Sequence, residues 1–327
     1  EVNMFVVTGA TGFIGSVLVW ELNQKGIHDI LCVDVVSPDE RPHALSSQTY
    51  KSFLKHDEFL NQISTLHEKE PIKCIFHMGA CSSTTETNKD YLQEINIDYT
   101  ETLFSFCTSN SIPFIYASSG AVYGGGEKGF DDQTNPDGFA PLNLYGWSKT
   151  EVDKWALKQT QTPPRWYGLR FFNVYGPNEY HKKDMASVVF KAFNQIEESG
   201  ELKLFKSHNP DYEDGCQLRD FVYVKDITRW MVELYESDGT QSGIYNMGYG
   251  QARTWLDLAQ QTFTSLDKNL NIHWIEIPES IRNQYQYFTK AKMDKLLGQG
   301  LSDPQWPLEK GVADYVENYL KNNIKGI

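Results

Sequence analysis

Short β-rich runs alternate with amphipathic stretches through the first half of the chain. Met4 to Thr8, Ile30 to Asp34, Cys74 to His77, Phe114 to Ser118 and Trp166 to Phe171 read as strands. Between them, Ile14 to Lys25 carries a helical period stopped by Gly26, and Tyr91 to Cys107 and Ser148 to Leu157 repeat that period. Strand and helix in alternation predict a parallel sheet with crossover helices, an α/β doubly wound fold.

After about Asn173 the pattern loses regularity, with Pro177, Pro210, Gly215, Gly248, Gly250, Pro278 and Pro304 punctuating short elements. This predicts a smaller α+β substrate lobe. The expected division is 1–173, with returning segments near 221–250, for the sheet domain, and most of 174–327 for the lobe. Phe221 to Val224 and Ile244 to Met247 are the segments expected to return to the first unit.

Composition narrows the function. At 327 residues the chain has ample length for a core, and 40% apolar with 22% charged residues fits a globular protein. A formal charge of −13 with no Lys/Arg block argues against nucleic acid and anionic membrane partners, so an anionic ligand must be held by local cations and backbone N–H groups. The five cysteines are scattered without a CxxC pair, which suggests reduced thiols, no zinc or other metal site, and a cytoplasmic protein. No apolar run approaches the ~18 residues of a membrane span.

Thr8-Gly9-Ala10-Thr11-Gly12-Phe13-Ile14-Gly15 follows an apolar strand and opens a helix. Glycines there let the backbone approach a pyrophosphate, and the helix N-terminus offers free N–H groups, so the sheet is expected to be a Rossmann-type dinucleotide site. Asp34 ends the second strand about 20 residues on, where a carboxylate accepts from ribose hydroxyls and favours NAD. Arg41 follows in the next loop, where a guanidinium can pair with the 2′-phosphate of NADP.

Tyr145 and Lys149 stand four apart, on one face if the segment is helical. An ammonium near a phenol lowers its pKa and makes it a usable base. Chance supplies such a spacing in a chain with 18 tyrosines, so the neighbouring Tyr116-Ala-Ser-Ser119-Gly-Ala-Val-Tyr123 decides the matter by bringing hydroxyls to a strand end. Ser119 is the expected partner of the reacting oxygen, with Ser118 as the alternative.

These segments in order, with Arg170-Phe-Phe-Asn173-Val-Tyr-Gly-Pro177, resemble the extended short-chain dehydrogenase/reductase family of nucleotide-sugar epimerases and dehydratases. Within it, Phe76-His-Met-Gly-Ala-Cys-Ser-Ser-Thr-Thr-Glu86 and Glu179-Tyr-His-Lys182-Lys-Asp-Met-Ala-Ser-Val188 resemble the 6-epimerases of ADP-glycero-manno-heptose. Arg219-Asp-Phe-Val-Tyr-Val224 and Tyr285-Gln-Tyr-Phe-Thr289 extend the likeness over nearly the whole chain.

The resemblance implies an NADP-dependent isomerase, with NAD as the other cofactor choice, that inverts C6 through a 6-keto intermediate and supplies heptose for lipopolysaccharide core. It also implies a homo-oligomer. Tyr145 and Lys182 become the two acid/bases on opposite faces of the carbon, with Lys149 and Ser119 assisting; burial and crowding by Lys183 would depress Lys182. Cofactor contacts implied are Gly9, Gly12, Phe13, Ile14, Gly15, Asp34, Val35, Arg41, His56, Met78, Gly79, Ala80, Cys81, Ser82, Asn96, Tyr145, Lys149, Val174 and Lys182. Substrate contacts implied are Ser119, Asn173, Asp184, Lys191, Phe205, Lys206, Ser207, His208, Arg219 and Tyr285, with Arg219 gripping the ADP phosphates.

The chain departs from the family's pattern in several places. Asp184 and Lys191 replace Ser and His, Asn209 to Leu218 is an insertion, and His56, beside Lys55, replaces a lysine near the 2′-phosphate. A dehydratase would need carboxylates where Gly120 and Ala121 stand. A UDP-sugar 4-epimerase or a sugar-nucleotide reductase remains the alternative on the same fold, and a dinucleotide-sensing interaction protein would be expected to have lost the Ser119, Tyr145 and Lys149 set.

Overall fold

The computed structural model describes residues 3–327; the first two residues of the expected sheet domain lie outside the described residues. Seven parallel strands form the central sheet: β1 (Met4–Thr8), β2 (Ile30–Asp34), β3 (Ser52–Lys55), β4 (Ile72–His77), β5 (Phe114–Ser119), β6 (Trp166–Phe171) and β7 (Gly243–Met247). Their spatial order is β7-β6-β5-β4-β1-β2-β3, so the direction of winding reverses between β1 and β4. Ligands of doubly wound sheets bind beyond the carboxyl ends of the strands at that switch point.

The strands form where β-branched and aromatic residues are buried on both faces: every residue of β1, β2 and β7 is buried. Burying those side chains on both faces is worth about 1.5–3 kcal/mol for each large apolar residue. β3 is the exception. It is a half-exposed edge strand with a mixed sequence, and the hydrophobic pattern gave no sign of it. The helix after β1, Phe13–Gln24, starts from Gly12 and turns off at Gly26, whose φ of +76° needs no Cβ.

The stretch expected as one helix from Tyr91 to Cys107 is continuous but carries a π segment at Gln93–Asp98 between α-helical Lys89–Leu92 and Tyr99–Ser109. The expected Ser148 to Leu157 helix begins earlier, at Leu144, because Asn143 caps it by accepting from the Gly146 N–H at 2.7 Å.

The irregular second half is ordered into helices and two-stranded ribbons. Phe221–Tyr223 pairs with Asn173–Tyr175 rather than with the main sheet, whereas the Val224–Glu236 helix packs on Phe13–Gln24 and Gly243–Met247 joins the sheet edge beside β6. A separate apolar cluster gathers Tyr175, Phe193, Ile196, Phe221, Phe263 and Val312. Among the described residues no helix is long and apolar enough to cross a membrane, and no three His, Cys, Asp or Glu side chains are grouped to hold a metal ion.

Candidate functional site

A cavity of about 430 Å³ opens at the switch point, lined by the glycine turn, the ends of β2, β4, β5 and β6, the Leu144–Lys158 helix and the turn carrying Lys182. The glycine turn is a backbone cradle. Gly9 has a φ of +66°, and a Cβ on it would stand 2.6 Å from the Gly79 nitrogen; one on Gly15 would stand 2.0 Å from the Gly9 oxygen. Side chains are excluded where a phosphate needs N–H groups, so the cradle fits a dinucleotide.

Asp34 Oδ2 accepts from the Thr11 N–H at 3.0 Å and Oδ1 from the Val35 N–H at 2.7 Å, which ties the end of β2 to the turn. Arg41 is half-buried on the cavity wall, and its Nη1 reaches the Thr11 carbonyl at 3.4 Å. Lys55 is spent elsewhere, donating to the Val35 carbonyl at 2.8 Å and pairing with Glu40.

His77, at the end of β4, organises the floor. Thr100 Oγ1 donates to the Asn96 carbonyl at 2.8 Å, which leaves it to accept from His77 Nε2–H at 2.9 Å. Nδ1 then accepts from the Thr8 hydroxyl at 2.6 Å, and Thr8 Oγ1 accepts from the Gly79 N–H at 3.0 Å. Burial first, then the Lys149 charge, push His77 down to about 3, so this relay runs through a neutral imidazole.

At the end of β5 the two serines divide their work. Ser118 is buried and donates to Asp153 Oδ2 at 2.9 Å, whereas Ser119 caps the Gly120–Tyr123 turn and stands against the Tyr145 hydroxyl. Lys149 Nζ donates to the Ala117 carbonyl at 2.8 Å and lies 5.9 Å from the centre of the Tyr145 ring.

The expected lowering of Tyr145 is reversed. Burial pushes the phenol up and the Ser119 contact only partly draws it back; Lys149, itself pushed down to about 8 by burial, is not among the influences on Tyr145. Desolvation of the phenolate outweighs a charge held on a backbone carbonyl.

Lys182 lies in the Tyr180–Met185 turn, which buried Glu179 fastens at both ends by accepting from the Gly176 N–H and from the Ser187 hydroxyl at 2.7 Å. Its ammonium stands 5.5 Å above the Phe13 ring, and burial pushes it below the ordinary lysine value against the pull of Glu179. The crowding expected from Lys183 is absent: Lys183 is exposed, with a φ of +49°, and plays no part in the shift. Tyr145 and Lys182 thus reach one cavity from different elements.

Gly9, Gly12, Phe13, Ile14, Gly15, Asp34, Val35, Arg41, His56, Met78, Gly79, Ala80, Cys81, Ser82, Ser119, Tyr145, Lys149, Val174 and Lys182 all line this cavity. Asn96 does not; it braces the wall, accepting from the Cys81 N–H at 2.8 Å and donating to Ser148 Oγ at 3.0 Å. Asn173, Asp184, Lys191, Phe205, Lys206, Ser207, His208, Arg219 and Tyr285 also lie off its lining. Lys191 Nζ donates to the Asp184 carbonyl, and Lys206 and His208 share Glu276.

Arg219 forms a second centre. Its buried guanidinium lies 5.3 Å from the Tyr285 ring and 5.7 Å from the Trp255 ring, and among the described residues it has no carboxylate partner. Sequence reading missed His77, Tyr99, Phe171, Phe172, His181 and Met185 on the main cavity. His77, Phe171, Phe172, His181 and Met185 stand inside the motifs that carry the family resemblance, which was the available signal; Tyr99 carried none.

The chain matches the model of the NAD dependent epimerase/dehydratase family over residues 5–248. It is 46% identical over 326 residues to the ADP-L-glycero-D-manno-heptose-6-epimerase of Fusobacterium nucleatum, covering 97% of this chain and 98% of that protein. It is 45% identical over 320 residues to the protein of the same name from Nitratidesulfovibrio vulgaris, again covering 97% and 98%. The crystal structure of the Helicobacter pylori ADP-L-glycero-D-manno-heptose-6-epimerase superposes with a TM-score of 0.79 at 26% identity, over 97% of this chain and 96% of that one. The extent of the family match and the identity to these relatives place the chain in the NAD dependent epimerase/dehydratase family, among the relatives named ADP-L-glycero-D-manno-heptose-6-epimerase.

Proposed function

We propose that the protein is an isomerase that interconverts the C6 epimers of an ADP-glycero-manno-heptose on a bound nicotinamide dinucleotide, NADP in preference to NAD. The observation that carries this reading is the presence of two proton carriers, Tyr145 and Lys182, on one cavity beside a glycine cradle. The names of the full-length relatives supply the sugar and its nucleotide.

The cradle residues Gly9, Gly12 and Gly15, with Asp34 and Arg41, would hold the cofactor. A nicotinamide dinucleotide bound there supplies a reversible hydride acceptor, which lets C6 pass through a planar ketone that can be re-reduced on its other face. The chain's own residues move the protons. Lys182, depressed by burial, is the group able to take the C6 hydroxyl proton, and Tyr145, kept protonated by burial, is the group able to give one to the oxygen on the opposite face. In the reverse direction the roles exchange.

Ser119 is the hydroxyl placed to hold the oxygen beside Tyr145, and Lys149, its Nζ fixed on the Ala117 carbonyl, stands beside the Tyr145 ring. Arg219, buried between aromatic rings without a carboxylate, is the group suited to the diphosphate.

The test is exchange of the purified ADP-heptose epimer pair followed by NMR, without added reductant. Equilibration of the two epimers from either side supports the reading. Absence of exchange with cofactor bound, or net consumption of reduced dinucleotide, overturns it.

A further inference from the structure

At one end of the cavity His181, on its lining, pairs with His43 behind it, and the proton chemistry leaves this histidine pair unused. His43 Nε2 and His181 Nδ1 lie 3.3 Å apart across 138 residues of sequence, with the rings stacked at 5.5 Å. His43 follows Arg41 in the loop after β2, and His181 precedes Lys182; both Arg41 and His181 line the cavity. The bond therefore joins the loop at the adenosine end of the cradle to the turn that carries Lys182.

The charges facing the pair are Arg41 and Lys182, both cations, and the Tyr180 ring lies 5.3 Å from His43. The acids on the same walls are occupied: Glu179 by Gly176 and Ser187, Asp34 by Thr11 and Val35, Glu40 by Ser37 and Lys55. Four nitrogen bases meet here with no free carboxylate among the described residues, which is the arrangement of an anion site.

The proton arrangement follows from the contacts. The Asn178 carbonyl favours a proton on His43, and Nε2 of His43 faces His181, so the proton belongs on Nδ1 and Nε2 accepts from His181 Nδ1–H. His181 Nε2 then keeps a lone pair. In the free cavity, burial and the neighbouring cations hold His181 down to about 3, and the pair stays neutral.

We propose that the His43–His181 pair, together with Arg41, reads the 2′-phosphate of NADP, with His181 Nε2 taking up a proton from solvent as the phosphate dianion arrives. The inference rests on the cavity being the dinucleotide cradle. A dianion reverses the local potential and gives Nε2–H an acceptor; NAD, lacking that phosphate, does neither.

Calorimetric titration of the full chain with NADP+ and with NAD+ at pH 7.5, in buffers of different ionisation enthalpy, counts the protons. Net uptake with NADP+ and none with NAD+ is expected. Pairing with Arg41 alone would give slight release instead, because the second ionisation of a phosphomonoester lies at about pH 6. His181→Gln keeps a neutral hydrogen-bonding side chain that cannot protonate. It should lose the uptake and bind NADP+ about tenfold more weakly while NAD+ binding is unchanged.

Release or no exchange in the wild type, or uptake that survives in His181→Gln, overturns the inference while leaving the cradle standing. Failure of both dinucleotides to bind overturns the cradle reading and the inference together.

Discussion

Nε of Arg170 donates to Oδ2 of Asp153 at 2.8 Å, and neither side chain meets solvent. Asp153 also accepts from the Tyr116 hydroxyl and from Ser118, each at 2.9 Å, so one carboxylate fastens β5 and β6 to the helix that carries Tyr145 and Lys149. Removing its charge would strand the guanidinium, one nitrogen of which, Nη2, is already without a partner. Asp153→Asn is expected to destabilise the fold by about 3–5 kcal/mol, measured by urea unfolding. A loss below ~1 kcal/mol would show that the pair contributes little beyond what a neutral amide supplies.

Tyr145→Phe removes the proton and keeps the ring. The epimerisation rate should fall by about 10²–10⁴ while dinucleotide affinity stays within a few fold, because the cradle is built by other residues. Parallel rate and binding measurements check this, and full activity would remove Tyr145 from the chemistry.

Lys182→Met should cause a loss of the same order. Burial depresses Lys182 below the ordinary lysine value, so its deprotonated fraction grows with pH ahead of that of an exposed lysine. A rate that needs the free amine therefore climbs with pH in the wild type before an ordinary lysine would titrate. The residual rate of Lys182→Met should lack this limb, and a profile of unchanged shape would assign the limb to another group.

Lys149 gives a stability signature of its own. Its folded value is pushed down to about 8, whereas the unfolded chain titrates at about 10.4. Below pH 8 both states are protonated and the cost of burying the charge is felt in full. Between about 8 and 10.4 the unfolded state binds more protons, so stability rises with pH. The stability of the wild type relative to Lys149→Met should increase across that window; a flat or falling difference would contradict the burial effect.

Two glycines with similar backbones separate geometry from space. Gly9, at φ +66°, has no room for a Cβ, while Gly26, at φ +76°, has nothing within 4 Å. Gly26→Ala should cost about 1 kcal/mol with cofactor affinity intact, and Gly9→Ala should cost more and abolish dinucleotide binding. Thermal unfolding with and without dinucleotide distinguishes the two, and normal binding by Gly9→Ala would dismiss the cradle.

Local chemistry wrote much of this protein into its sequence. The buried strands, the glycine turn and the spacing of Tyr145 and Lys149 depend on side-chain period, on glycine's freedom and on helical rise, all of which act over a few residues. The edge strand Ser52–Lys55 escaped because neither face is fully buried, and the π segment because an extra residue in a turn leaves no compositional mark.

Tertiary structure decided what depends on the dielectric around a group and on partners far along the chain. Burial reversed the expected shift of Tyr145, and Ser118 turned its hydroxyl to Asp153 while Ser119 stands against Tyr145. Glu179 and Phe13 set the place of Lys182, and His181 met His43 across 138 residues. The sequence by itself determined which proton carriers the chain possesses. Which of them are buried, paired or left with a free lone pair was settled only by the fold, because desolvation and charge pairing act through space and not along the chain.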